Sequence, residues 1–257
     1  MVEVFLLLEL SAITITLAFL AYASWLDWRF REVDDKVWLI YGPVGASLTL
    51  GRLFLAGFPS PLLWAVSLAI ALGLALALYY GGLWGGADSK ALICLALTLP
   101  TYPLFANPIL GLWLIVFPLT VVFNAFLLSL LTIAYILLRN LAYKLSGGKL
   151  FEGFEAEPPW KKFLALLTSF KVKREKLTGN PALTLAEKAF EKGRTWIFRL
   201  QIGESGVEDV GKLPEEVWVT PQLPFLLFLT LGVAVALTLG DLALTLISLL
   251  LSSFNAV

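Results

Sequence analysis

The chain has 257 residues, of which 59% are hydrophobic and 15% charged, and its mean hydropathy is +0.84. A soluble domain is about 45–50% apolar and about 25% charged, so an ordinary soluble enzyme is excluded, and with 19 basic against 19 acidic residues so is a nucleic-acid binder held by excess charge. There is no histidine and a single cysteine, Cys94, which rules out histidine catalysis, histidine or cysteine-rich metal sites and an internal disulfide.

A membrane-crossing helix needs about 20 mostly apolar residues. The first such run is Val4 to Leu26, with an acidic start unlike the basic beginning of a secretory signal. The second, Val37 to Ala56, ends at Gly57-Phe58-Pro59, and the third, Pro61 to Tyr80, places its proline in a first helical turn. A glycine-rich break, Gly81 to Gly86, precedes a fourth run from Ser89 to about Phe105, bent or ended near Pro100 and Pro103, and a fifth from Pro108 to Leu138. The sixth is Leu223 to Leu239, stopped by Gly240-Asp241; the apolar tail to Val257 is too short to span and reads as interfacial.

Between the fifth and sixth runs the composition changes: residues 139–221 hold 14 of the 19 basic and 11 of the 19 acidic residues. This is a soluble segment in which Trp196 to Leu200 and Val217 to Thr220 read as strands. Thr184 to Lys192 reads as a helix opened by a Thr184/Glu187 capping box. With the N-terminus outside, 18 of the 19 basic residues fall on the inner side and only Arg52 lies near the outer face, where it can snorkel. The expected fold is therefore an all-α polytopic membrane protein of six transmembrane helices, with a small α+β cytoplasmic domain inserted before the last. The expected domains are a membrane domain at 1–138, the soluble domain at 139–221, and the last helix and tail at 222–257.

Two inner-face junctions carry chemistry. In Ser24-Trp25-Leu26-Asp27-Trp28-Arg29-Phe30-Arg31, Asp27 closes the first run; in Gly85-Gly86-Ala87-Asp88-Ser89-Lys90, Asp88 opens the fourth. Two carboxylates sharing a site cannot easily both ionise, so one serves as base on a water while the protonated one polarises a carbonyl. The Gly-Gly-Ala run leaves backbone open to an extended substrate. Simpler readings stay open on chemistry alone: Asp88 as a helix N-cap, Asp27, Asp34 and Asp35 as solvated charges, Lys90 as a membrane-face anchor. A proton-coupled transporter and a non-catalytic scaffold also remain.

Together the two junctions resemble the aspartic membrane peptidases that process type IV prepilins and archaeal preflagellins. That family carries an Asp at the cytoplasmic end of the first helix followed by basic residues, and later a GxGD motif followed by x-Lys. Here the matching residues are Asp27, Arg29 and Arg31, then Gly85, Gly86, Ala87, Asp88 and Lys90, with Ala87 in place of the second motif glycine. The late soluble insertion and the absence of paired cysteines resemble the archaeal branch. The resemblance implies Asp27 and Asp88 as the catalytic pair, with support from Gly85, Gly86, Ala87, Lys90 and Arg31. It implies pilin or archaellin precursors with short basic leaders as substrates, no metal or organic cofactor, no nucleic acid, and a place in the cell membrane. A presenilin-like intramembrane protease shares the chemistry; the Pro181-Ala182-Leu183 tripeptide match to that group lies in a charged stretch and is discounted. Glu152, Glu155 and Glu157 are candidates for attracting a basic leader.

Overall fold

The computed structural model describes residues 2–177, 180, 182–190, 193–197 and 214–254. They form two compact units: residues 1–129 with 224–257, and residues 130–223.

In the first unit, α1 (Val2–Phe30), α2 (Asp35–Ala56) and α3 (Pro61–Tyr80) are each long and apolar enough to cross a membrane, as is α5 (Phe117–Leu145), which runs on into the second unit. α4 (Gly86–Thr98) has 13 residues. α7 (Phe225–Thr238) and α8 (Leu242–Phe254) form one broken apolar pair bent by 61°. The protein is thus a mostly helical, multi-pass membrane protein.

The local signals explain most boundaries. Asp34 caps α2 by accepting the Lys36 N–H (2.9 Å), and Ser60 caps α3, with Pro61 following, by accepting the Leu63 N–H (3.2 Å). Gly57 ends α2 in the left-handed conformation at φ 64°.

Two apolar runs are helical over only part of their length. The fourth ends as helix at Thr98, in keeping with the bend or end expected near Pro100 and Pro103, and the fifth begins as helix at Phe117, not Pro108. Pro100, Pro103 and Pro108 lack N–H donors and disfavour helix in the residue before them. The intervening chain is held by other partners: Tyr102 N–H reaches Ile115 O (3.1 Å), Thr101 bridges Val116, and Leu104 and Phe105 donate to the Glu9 carboxylate (3.2 Å each).

α4 is the centre of this unit. It packs on α2, α3, α1 and α7, and Ala91, Leu92, Leu95 and Ala96 are fully enclosed. α2 approaches it closely through Gly42 and Gly45; a methyl group at Gly45 would collide with Thr98.

Arg52 does not snorkel. It is 1% exposed, as is Glu9, with 3.9 Å between Nη1 and Oε1, and its Nη2 donates to Thr49 Oγ1 (2.8 Å) and to the Thr98 carbonyl. A guanidinium directed at a carboxylate and two further acceptors inside the bundle is better satisfied than one stretched to a surface. The pair ties α1, α2, the end of α4 and the 104–105 backbone together.

In the second unit, β1 (Phe170–Lys173), β5 (Glu216–Pro221) and β2 (Leu183–Leu185) form an antiparallel sheet in the order β1-β5-β2. β3 (Glu187–Phe190) and β4 (Gly193–Trp196) form a hairpin, and α6 (Pro159–Thr168) precedes β1. Strand alternation in β5 sends Val217 and Val219 to a cluster with Phe170, Val172 and Ile136, and Trp218 to one with Phe154, Ala165, Ala186 and Trp196.

The expected strand at Val217 to Thr220 lies within β5. At Trp196 to Leu200 only Trp196 closes β4, and Phe198 to Leu200 lie outside the described residues. The expected helix at Thr184 to Lys192 is instead β2 and β3, with residues 191–192 outside the described residues. Thr184 pairs with Thr220 across the sheet. Glu187 caps nothing: fully buried, it takes Arg194 at 2.5 and 2.6 Å and the Trp218 N–H at 3.2 Å. Burial pushes its carboxyl above the usual range, while Arg194 and the Trp218 N–H hold it down. Cross-strand pairing and this buried ion pair outweigh the local helix signal.

Removing one partner of a buried ion pair strands the other charge, at roughly 3–5 kcal/mol. Glu9→Ala is expected to lower the thermal stability of the detergent-solubilised protein by that order, and Glu9→Met combined with Arg52→Met by clearly less. Equal melting temperatures for wild type and Glu9→Ala would contradict the buried pairing.

Candidate active site

α1 reaches its last turn carrying Asp27, half-buried, while Trp25, Trp28 and Phe30 around it are exposed. The helix closes on Arg31, whose N–H donates to Asp27 O (3.0 Å) with φ at 57°. Arg31 is the one non-glycine residue with positive φ among the described residues. Such a conformation costs roughly 1–3 kcal/mol and persists where the surroundings impose it. Its Nε is buried without a hydrogen-bond partner, and its charge acts on Asp27. The turn from Arg31 to Asp34 is short, so α2 starts beside the end of α1.

The second junction is built on Trp84. Its ring is buried against Phe225 (5.0 Å) and Phe126 (6.1 Å), and its N–H and that of Leu83 return to Leu78 O (3.2 and 2.9 Å). Gly82 supplies the left-handed residue of the turn at φ 69°. Gly85 then caps α4, and its N–H donates to Asp88 Oδ2 (3.1 Å). The N-terminal role for Asp88 is therefore real, but it engages one oxygen only, in a residue 8% exposed in the first turn of the most enclosed helix.

Asp27 and Asp88 lie at the same end of the bundle. α1 contacts α4, and Asp88 is within electrostatic reach of Asp27. One turn before Asp27, Ser24 is hydrogen-bonded to Thr230 of α7 (2.8 Å), which fixes the end of α1 against a third helix.

The supporting residues are placed as follows. Gly85 and Gly86 face Asp88 and Tyr79 with no side chain between, and Ala87 packs on the bundle core. Lys90, read as a membrane-face anchor, pairs instead with Asp35 (2.5 Å) across α4 and α2. Asp35, read as a loop charge, is thus part of the site's frame, as are Ser24, Thr230 and Trp84. No local spacing in the sequence announces these contacts, since their partners lie 55 and 206 residues away.

The acidic residues suggested as a lure for basic leaders are engaged locally. Glu152 meets Lys149 (3.7 Å), Glu157 meets Lys161 (2.8 Å), and Glu155 accepts the Gly153 N–H (3.0 Å). Of Asn180 to Leu183, Pro181 lies outside the described residues and Leu183 belongs to β2.

An apolar multi-pass bundle with two carboxylates at one end defines a class: helical membrane proteins that carry an acidic pair at one end of the bundle. Residues 14–138 match the type IV leader peptidase family, and residues 141–242 match the archaeal peptidase A24 C-terminus, type II. The chain is also similar to a preflagellin peptidase of Methanococcus voltae, 26% identical over 244 residues that cover 92% of this chain and 98% of that one. The chain belongs to the type IV leader peptidase family.

Lys90 and Asp35 are 44% and 70% exposed in their side chains, and exposed pairs contribute about 0.2–1 kcal/mol. A double-mutant cycle of Asp35→Asn and Lys90→Gln, read by thermal unfolding in detergent, is expected to give a coupling within that range. A coupling of several kcal/mol would contradict a solvated pair.

Proposed function

We propose that this chain is a membrane aspartic endopeptidase that removes the short basic leader from prepilin or preflagellin (archaellin) precursors at the cytoplasmic membrane face, with Asp27 and Asp88 as its catalytic pair. The observation that carries the reading is the convergence of these two carboxylates, one closing α1 and one opening α4, at one end of an apolar bundle. Both lie at helix ends and not at mid-helix, which favours a bond at the polar–apolar boundary of the substrate over one deep within a spanning helix.

In the proposed reaction one Asp, ionised, takes a proton from a water as its oxygen attacks the scissile carbonyl. The other, protonated, donates to the carbonyl oxygen, giving a tetrahedral diol. Collapse of the diol breaks the C–N bond, the amine leaves with a proton from the first Asp, and the second recovers its own. Arg31 beside Asp27 sets the local field for the ionised partner. The open backbone at Gly85 and Gly86 lets an extended leader approach, and Lys90 holds α4 to α2 through Asp35.

The proposed topology has six crossings, by α1 to α5 and α7, with the N-terminus outside, residues 139–221 as the cytoplasmic domain and residues 222–257 as the last helix and its interfacial tail. α4 gives about 20 Å of helix, and its apolar continuation from Leu99 to Tyr102 adds about 13 Å if extended, which together match a hydrocarbon core of about 30 Å. The basic residues on the inner side favour this orientation within the cell membrane.

Purified protein in liposomes is expected to cut a precursor bearing a basic leader at the leader–helix junction, mapped by mass spectrometry of the product N-terminus. Asp27→Asn and Asp88→Asn are each expected to lower the rate at least 10³-fold, in keeping with loss of a group that transfers a proton in the transition state, while the melting temperature stays near that of wild type. Full cleavage by either variant would overturn the assignment.

A further inference from the structure

α6 (Pro159–Thr168) is a ten-residue helix of the second unit, and its faces are unequal. Ala165 is buried and Leu166 packs with it against the cluster of Phe154, Trp196 and Trp218. The opposite face carries Trp160, Phe163, Leu164 and Leu167, spaced i, i+3, i+4 and i+7 as on one side of a helix. Trp160 is 57% and Phe163 61% exposed. A stripe of large apolar side chains turned away from the unit's own core marks an interaction surface.

The unit's connections to the rest of the chain identify the occupant. Residues 130–223 are joined at both ends to apolar helices, α5 at one and α7 at the other, so this unit is tethered to the bilayer twice and lipid is its constant apolar neighbour. The stripe itself is of interfacial type: a tryptophan, a phenylalanine and leucines on one side, with Lys161 lying over the Trp160 ring (5.9 Å). Charge is not the driving element. Lys161 is paired with Glu157 (2.8 Å), and Glu155 and Glu157 balance Lys161 and Lys162 in number.

We propose that α6 is an interfacial helix whose Trp160–Phe163–Leu164–Leu167 face lies in the boundary between headgroups and acyl chains, held there by apolar burial and not by anionic lipid. The inference rests on the multi-pass character of the chain and not on the peptidase reading.

The test uses the full chain with Cys94→Ala, reconstituted in phosphatidylcholine nanodiscs and carrying Phe163→Cys labelled with an environment-sensitive fluorophore. The same label at Leu131, on the exposed face of α5, serves as the lipid-facing control, and at Lys173, exposed on β1, as the water-facing one. The label at 163 is expected to emit blue-shifted, to be quenched by acyl-chain spin-labelled lipid as strongly as at Leu131, and to resist iodide better than at Lys173. Adding anionic lipid is expected to leave the result unchanged. Iodide quenching equal to that at Lys173 would overturn the proposal. So would shielding from both quenchers, which would mean a protein partner, or lipid quenching that appears only with anionic lipid.

Discussion

The structure depends on the enclosure of α4. A 13-residue helix surrounded by α1, α2, α3 and α7 carries a carboxylate in its first turn, where burial of an unsolvated charge is expensive. Everything around Asp88 answers that expense: the Gly85 N–H on one oxygen, the glycine turn that brings it there, and the Trp84 ring that anchors the turn against Phe126 and Phe225. The Asp27 carboxyl, on α1, lies at the same end of the bundle within electrostatic reach of Asp88.

The two ends of the bundle are held by different means. At the end opposite Asp27 and Asp88, the buried Glu9–Arg52 pair joins α1, α2 and the end of α4. At the Asp end, a four-residue turn joins α1 to α2, Ser24 is hydrogen-bonded to Thr230, and Lys90 is ion-paired with Asp35. The first arrangement is fully buried. The second is partly solvated, and Arg31 sits there in a strained conformation. A site that has to admit water and an extended chain fits the second kind of end.

Some of this was legible in the sequence and some was not, for physical reasons. The long apolar runs of α1, α2 and α3 are local properties, and so are Pro61 in the first turn of α3 and the two Asp-bearing junctions, whereas Asp34, which reads as a solvated charge, caps α2. The break from Leu99 to Val116 was only half visible. Pro100, Pro103 and Pro108 announced it, but the partners that let the chain leave the helix, such as Glu9 for the Leu104 and Phe105 amides, come from another part of the chain. Arg52 was misread because a lone cation near an apparent helix end looks like a snorkelling residue until its distant carboxylate is known. Thr184 to Phe190 carries residues that suit a capped helix, yet Glu187 finds Arg194 and Trp218 only through sheet pairing. Asp35 and Lys90 each looked solvated in isolation, and their pairing is tertiary.

The central claim is that Asp27 and Asp88 share one site. Asp27→Cys with Asp88→Cys, in protein carrying Cys94→Ala, can be treated in nanodiscs with dibromobimane, a short bifunctional reagent that fluoresces on bridging two thiols. Bridging is expected in this double variant and none when Asp27→Cys is combined with Thr98→Cys at the far end of α4. No bridging between positions 27 and 88, with both thiols shown to react singly, would contradict it.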